Sequence, residues 1–171
     1  IGIDTFQFDG SCASPAPTAT ATASPTATAT MAPSATPRAT AWSGTVLNEN
    51  FHSVTAPALP TGWVASNAAG GAPLWVTSTT TPDTQPNDAF IDDPNVVTDK
   101  LLDTPDIAIT TTGGQVIFRN FYNLEDTFDG GVLEVSSPNI NGGAFTDITN
   151  AAVGGSFVAG GYTDTISTSF Q

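Results

Sequence analysis

From Trp42 onward the apolar positions of this chain come in short bursts, separated by clusters of Gly, Pro, Asn and Asp. Within a burst, apolar and polar residues tend to alternate. That is the period of a β-strand, whose successive side chains point to opposite faces. The segments TVLNENF (45–51), GWVAS (62–66), PLWVT (73–77), AFID (89–92) and PDIAIT (105–110) read as strands. So do QVIFRNFY (115–122), GVLEVSS (131–137), AFTDI (144–148) and SFVAG (156–160). In QVIFRNFY, Val116 and Phe118 share one face, with Ile117 and Phe121 on the other, which predicts a strand buried on both sides. The dipeptides Asp129-Gly130 and Asn141-Gly142 supply the backbone freedom that tight hairpins need. No segment keeps a helical period for three turns. The expected fold is all-β, an antiparallel β-sandwich of the jelly-roll kind over residues 42–171. Its expected core is Phe51, Trp63, Trp75, Phe118, Phe121, Leu133, Val135 and Phe145. Each buried aromatic contributes about 1.5–3 kcal/mol.

Ahead of this region lie two stretches of different character. Residues 13–41 hold five prolines, many Thr and Ala, and no aromatic residue. Such a stretch buries too little apolar surface to offset its ordering entropy, so it is expected to be a disordered, semi-stiff Thr/Ala/Pro-rich linker. Thr/Pro-rich tracts of this kind are also typical substrates for O-glycosylation in stalks. Residues 1–12, IGIDTFQFDGSC, read as a strand once more.

The order of the motifs carries a resemblance. Glu49-Asn50-Phe51 is followed by Leu59-Pro60-Thr61-Gly62-Trp63 and then, past a Gly-rich gap, by Trp75. Next come Asp103-Thr104-Pro105-Asp106-Ile107-Ala108-Ile109, the strand Val116–Tyr122, the acidic loop Glu125–Asp129 and the strand Val132–Ser136. This series, over about 45–150, resembles the MAM-like "cleaved adhesin" jelly-roll domains of bacterial secreted and surface proteins. Domains of that family close with a strand to which Ile1–Phe8 is similar, and nothing after Ser156 is. The resemblance therefore implies that residues 1–12 are the closing strand of a preceding domain. The domain at 42–171 would then be incomplete at its C-terminus. A sandwich lacking its last strands leaves an edge of unpaired backbone groups. Loop-closure cost grows slowly with length, so Ile3–Phe8 is expected to be able to fold back into the open slot.

Charge narrows the partners. Three basic residues stand against sixteen acidic ones, giving a net charge of −13. Nucleic acid and anionic membrane surfaces are bound through Lys and Arg, so both are disfavoured. The balance suits cations, neutral ligands such as sugars, and plain solubility. No apolar run reaches the length of a membrane span. Cys12 is the one cysteine, so no disulfide forms within the chain.

Catalytic chemistry finds little support. His52 is the single histidine, with no Ser, His and acid constellation readable around it, and is expected to be a surface side chain. Where the resembling family carries an acid, this chain has His52. Zinc needs more His or Cys ligands than are present. Ca²⁺ takes six to eight oxygen ligands and is the better fit. The resemblance implies a structural Ca²⁺ near the first strand, with Glu49 as the first-strand candidate and Asp4 as the closing-strand one, for the preceding copy. With the closing strand absent, a site shared with Glu49 would be incomplete. Asp88, Asp92 and Asp93 in NDAFIDDPN form a second oxygen-rich cluster, equally readable as a solvated turn. The metal candidates are thus Glu49, Asp88, Asp92 and Asp93. The loop with Glu125 and Asp129 is read chiefly as turn chemistry. Trp75 reads as core, or alternatively as a stacking platform for a sugar ring.

The expectation is a non-catalytic adhesion or accessory binding module of an extracellular or surface-displayed multidomain bacterial protein. Its ligand would be a carbohydrate or a protein, presented to loops at one end of a rigid sandwich. The alternative is a structural spacer attached to a secreted peptidase whose catalytic domain lies outside this chain.

Overall fold

The alternating segments fold as antiparallel strands. The computed structural model describes residues 1–9, 45–110 and 113–167, so the linker expected at 13–41 lies outside the described residues. The chain divides into two compact units, Ile1–Phe121 and Tyr122–Gln171.

In the first unit β1 (Gly2–Asp9) is the middle of a five-stranded sheet. Along one edge it pairs with β7 (Gln115–Phe121), from Gly2↔Phe121 to Asp9↔Gln115. Along the other edge, its first residues pair with β5 (Asp88–Phe90) and its last residues with β2 (Thr45–Glu49). β4 (Val76–Ser78) extends the sheet beyond β5. The first-strand stretch is therefore paired on both edges, the placement that the fold-back expectation requires. A second layer is formed by β3 (Val64–Ala69) and β6 (Asp99–Asp103).

Between the layers lie Phe6, Phe51, Trp63, Trp75, Ala89 and Ile91, with Ile1, Ile3, Leu47, Leu102, Val116 and Phe118 among the residues packed against them. Trp63 meets Phe6 edge-on at 5.5 Å and Phe51 at 5.0 Å, while Phe6 stacks over Phe118 at 6.1 Å. These are the offset and edge arrangements that aromatic quadrupoles favour. Trp75 is buried and donates its indole N–H to the Lys100 carbonyl at 3.3 Å, so it belongs to the core and offers no face to a sugar. The result is an all-β, two-layer antiparallel sandwich.

Two local devices shape it. From Asp4↔Arg119 to Gln7↔Ile117, β1 spends one residue more than β7, and Thr5 sits at φ 52°. This β-bulge switches the parity of the strand. Ile1 and Ile3 face the core before it, Phe6 after it. The second device is at Phe51, fully buried at φ 61°, an unusual region for an aromatic residue. Glu49 Oε1 accepts the Phe51 N–H at 2.6 Å. The buried Asn87 side chain donates to the Phe51 carbonyl at 3.2 Å and the Val54 carbonyl at 2.7 Å. Downstream, the Trp63 N–H donates to the Pro60 carbonyl at 3.1 Å across a turn with Gly62 at φ 89°. That positive φ is why glycine precedes the core tryptophan.

Several expectations are corrected. PDIAIT is not a strand: among the described residues, none pairs with the segment in a β-ladder. DKLLD, unremarked in the alternation, is β6 and pairs with β3 along its length. β7 is covered on one face only: Val116 and Phe118 pack on the core, while Ile117 is 47% and Phe121 60% exposed.

The second unit carries one short pair, β8 (Glu134–Val135) with β9 (Thr146–Asp147). A 3₁₀ turn at Asn141–Gly143 lies between them, with Gly142 at φ 68°. Leu133 and Val135 are half-buried, and Phe145 is 52% exposed instead of core. Order comes from polar contacts. The Tyr162 hydroxyl accepts the Leu133 N–H at 3.0 Å and donates to Asp147 at 2.7 Å, while its ring meets Phe157 at 5.0 Å. The Thr149 hydroxyl, then the Tyr162 hydroxyl and the Thr149 N–H, hold the Asp147 carboxyl below the usual range. SFVAG does not form a strand.

Candidate functional site

Because the bulge sends Ile3 and Phe6 to the core, the intervening side chain of Asp4, like Gly2, lines a cavity instead. The cavity has a volume of about 450 Å³. Thr81 and Asp83 enter from the segment after β4, Asp88 from β5, and Arg119, Asn120 and Phe121 from β7. All of these lie in the first unit.

The register Ile3↔Ala89 sets Asp4 opposite Asp88 on the neighbouring strand. Both carboxylates are buried, Asp4 at 3% and Asp88 at 2% exposure. Their surroundings differ. Asp4 accepts the Thr84 N–H at 2.6 Å, the Thr84 hydroxyl at 2.7 Å and the Thr5 hydroxyl at 3.1 Å. Asp88 keeps one oxygen, Oδ1, with no hydrogen-bond partner. Burial pushes the Asp88 carboxyl above its ordinary range and the charge of Asp4 adds to that, while a backbone hydrogen bond and the charge of the Ile1 amino group work the other way. Gly2 lets the strands approach here, since a Cβ at this position would stand 2.5 Å from Asp88 Oδ2.

At the cavity's outer side Arg119 and Asp83 form a two-pronged ion pair, at 2.8 and 3.0 Å, between largely exposed side chains. Phe121 adds an exposed aromatic face. The cavity thus offers buried acceptors, one already neutralised cation and a ring. Such a surface suits a ligand that donates hydrogen bonds or carries positive charge. His52 lies apart from it and bonds through its ring to the Thr84 carbonyl at 3.1 Å. The Thr84 hydroxyl donates to Asp4 at 2.7 Å and stands 3.3 Å from His52 Nε2.

The four metal candidates are not gathered into one group. Glu49 uses Oε1 on the Phe51 N–H. Asp88 is in the cavity. Asp92 and Asp93 are exposed beyond the other end of β5, and their charges, like that of Asp88, act on the Ile1 amino group. They part company because Asp88 lies on β5 at 2% exposure, whereas Asp92 and Asp93 lie past the end of that strand and are exposed. Among the described residues, no three His, Cys, Asp or Glu side chains are placed to hold a metal ion. Asp4, Asp83 and Arg119 join Asp88 as site residues that the motif reading did not assemble.

No family model, curated protein or solved structure matches the chain. Among the described residues no helix is long and apolar enough to cross a membrane.

Proposed function

We propose that this chain is a non-catalytic binding module, working in adhesion or as an accessory domain of a multidomain secreted or surface-displayed bacterial protein. In this reading the sandwich is a jelly roll of the MAM-like, cleaved-adhesin kind, and its ligand is a carbohydrate or a protein. The observation that carries the reading is the cavity beside β1. A rigid sheet holds a buried carboxylate with a free acceptor, next to an exposed aromatic ring and an Arg–Asp pair. Buried polar groups without partners are rare in folded proteins and point to a missing one. The sequence motifs add support, in the order Glu49-Asn50-Phe51, Leu59-Pro60-Thr61-Gly62-Trp63 and Trp75.

The test is a glycan array together with a protein pull-down, using the full chain and its Phe121→Ala variant. Binding weakened by the substitution supports the proposal. No binding at millimolar ligand would replace it with the spacer reading, in which the sandwich sets a distance beside a peptidase domain.

A further inference from the structure

The cavity holds two buried carboxylates on adjacent strands, and no lysine or arginine side chain among the described residues pairs with either; the Ile1 amino group acts on the Asp88 charge but donates its hydrogen bond to the Ile91 carbonyl at 2.9 Å. Arg119 is the cross-strand partner of Asp4 on β7, yet its guanidinium turns outward to Asp83. The other basic side chain among the described residues, Lys100, is spent on the Gly71 and Pro73 carbonyls, at 3.0 and 2.6 Å. Asp4 is compensated by three hydrogen bonds. Asp88 is not: Oδ1 has no partner, and 2% exposure gives it almost no water. A buried charge without a partner is costly, and a positive group reaching it recovers that cost.

We propose, resting on the binding-module reading, that the cavity receives the primary ammonium of a lysine side chain from a basic protein partner. Charge and shape select this ligand over a neutral sugar and over a guanidinium. Sugar hydroxyls hydrogen-bond but leave the two buried charges of Asp4 and Asp88 unbalanced. The ammonium is a compact point charge on a thin methylene stem, and it suits a single buried carboxylate oxygen better than a flat, two-pronged guanidinium does. Phe121, 60% exposed, gives that stem and charge an aromatic wall. The chain's net charge of −13 draws such a partner in over long range.

The probe is a blocked pentapeptide with one central lysine among glycines, titrated into the full chain and followed by amide chemical shifts. Its ε-acetylated form, CaCl₂ alone and a panel of neutral oligosaccharides are titrated in parallel. The lysine peptide should shift resonances of Gly2, Asp88 and Phe121, and added salt should weaken it. The acetylated peptide and Asp88→Asn should each bind about 30-fold more weakly or worse, the scale for truncating one partner of a buried charge pair. Asp88→Asn keeps the shape and removes a buried charge, so it folds; Phe121→Ala is the second variant and should weaken the peptide without abolishing it. Equal binding of the two peptides would overturn the proposal. So would Ca²⁺ shifting the same resonances while the lysine peptide does not. Neutral sugars shifting them alone would overturn the lysine assignment and leave the binding-module reading standing. Silence of every probe here, together with an empty pull-down, would bring down both.

Discussion

Truncating Phe6 to alanine tests whether β1 belongs to the fold as its pairing indicates. The ring is 9% exposed, meets Trp63 edge-on at 5.5 Å and stacks over Phe118 at 6.1 Å. Phe→Ala changes in cores cost about 3–5 kcal/mol, the spread reflecting how far the site can collapse. Collapse is hindered here. Phe6 sits in the central strand, held by β2 and β7 on its two edges, and Trp63 stands on the opposite layer. Each lost ring pair accounts for about 0.5–1.5 kcal/mol beyond area. The upper part of the range, about 4 kcal/mol, is the expected cost. Domain stabilities are about 5–15 kcal/mol, so the variant loses a large share of the total. Urea unfolding read by tryptophan fluorescence should show the midpoint falling by about 2 M, taking an m-value near 2 kcal/mol/M. Val46→Ala on the exposed face of β2 serves as control and should move stability by under about 0.5 kcal/mol. A loss below about 1 kcal/mol for Phe6→Ala would refute the placement of β1 between the layers.

Asp88→Asn should raise the melting temperature at neutral pH, by the equivalent of about 1 kcal/mol or more, because an uncompensated buried charge is removed. Its pH dependence has a definite sign. The folded carboxyl is raised above its unfolded value, so the folded state binds the proton more tightly. The natural chain therefore gains stability as the pH falls through the raised value, and a melting series should show that slope disappearing in the variant. Asn87→Ala strips the donor from the Phe51 and Val54 carbonyls, and chemical denaturation should report a loss of about 2–3 kcal/mol. Arg119→Ala breaks an ion pair between side chains 64% and 42% exposed, and the same assay should show less than about 1 kcal/mol.

The aromatic skeleton was legible because burial follows from side-chain type and spacing. Phe51, Trp63 and Trp75 have turn-forming neighbours (Asn50, Pro60, Gly62 and Pro73) that mark where each enters the core, and all three are inside. Phe121 and Phe145 were misplaced by the same rule, since alternation shows which side chains share a face but not whether anything covers it. β6 escaped notice because DKLLD has two apolar residues between charged ends, and its pairing with β3 comes from elsewhere in the chain. The acids were the hardest. Asp88, Asp92 and Asp93 look like one cluster in sequence, whereas Asp4 and Asp88 become neighbours only through strand register. Long-range register leaves no trace in local spacing.

One signal of the site was nonetheless present in the first eight residues. The apolar positions run 1, 3, 6, 8, a switch from odd to even that no regular strand can place on a single face. An inserted residue resolves it, and Thr5 takes that role at φ 52°, where a β-branched side chain is strained. The consequence is chemical as well as geometric. Without the bulge, Asp4 and Phe6 would lie on the same face, and either the ring would leave the core or the carboxylate would enter it. With it, one strand delivers Ile3 and Phe6 to Trp63's layer and Asp4 to the cavity, where Thr84 secures one carboxylate and leaves Asp88 as the unsatisfied one. The strain at Thr5 is thus offset by the packing on either side of it. The same device that completes the hydrophobic core sets the charge of the cavity, so a change that straightens β1 should damage stability and ligand binding together.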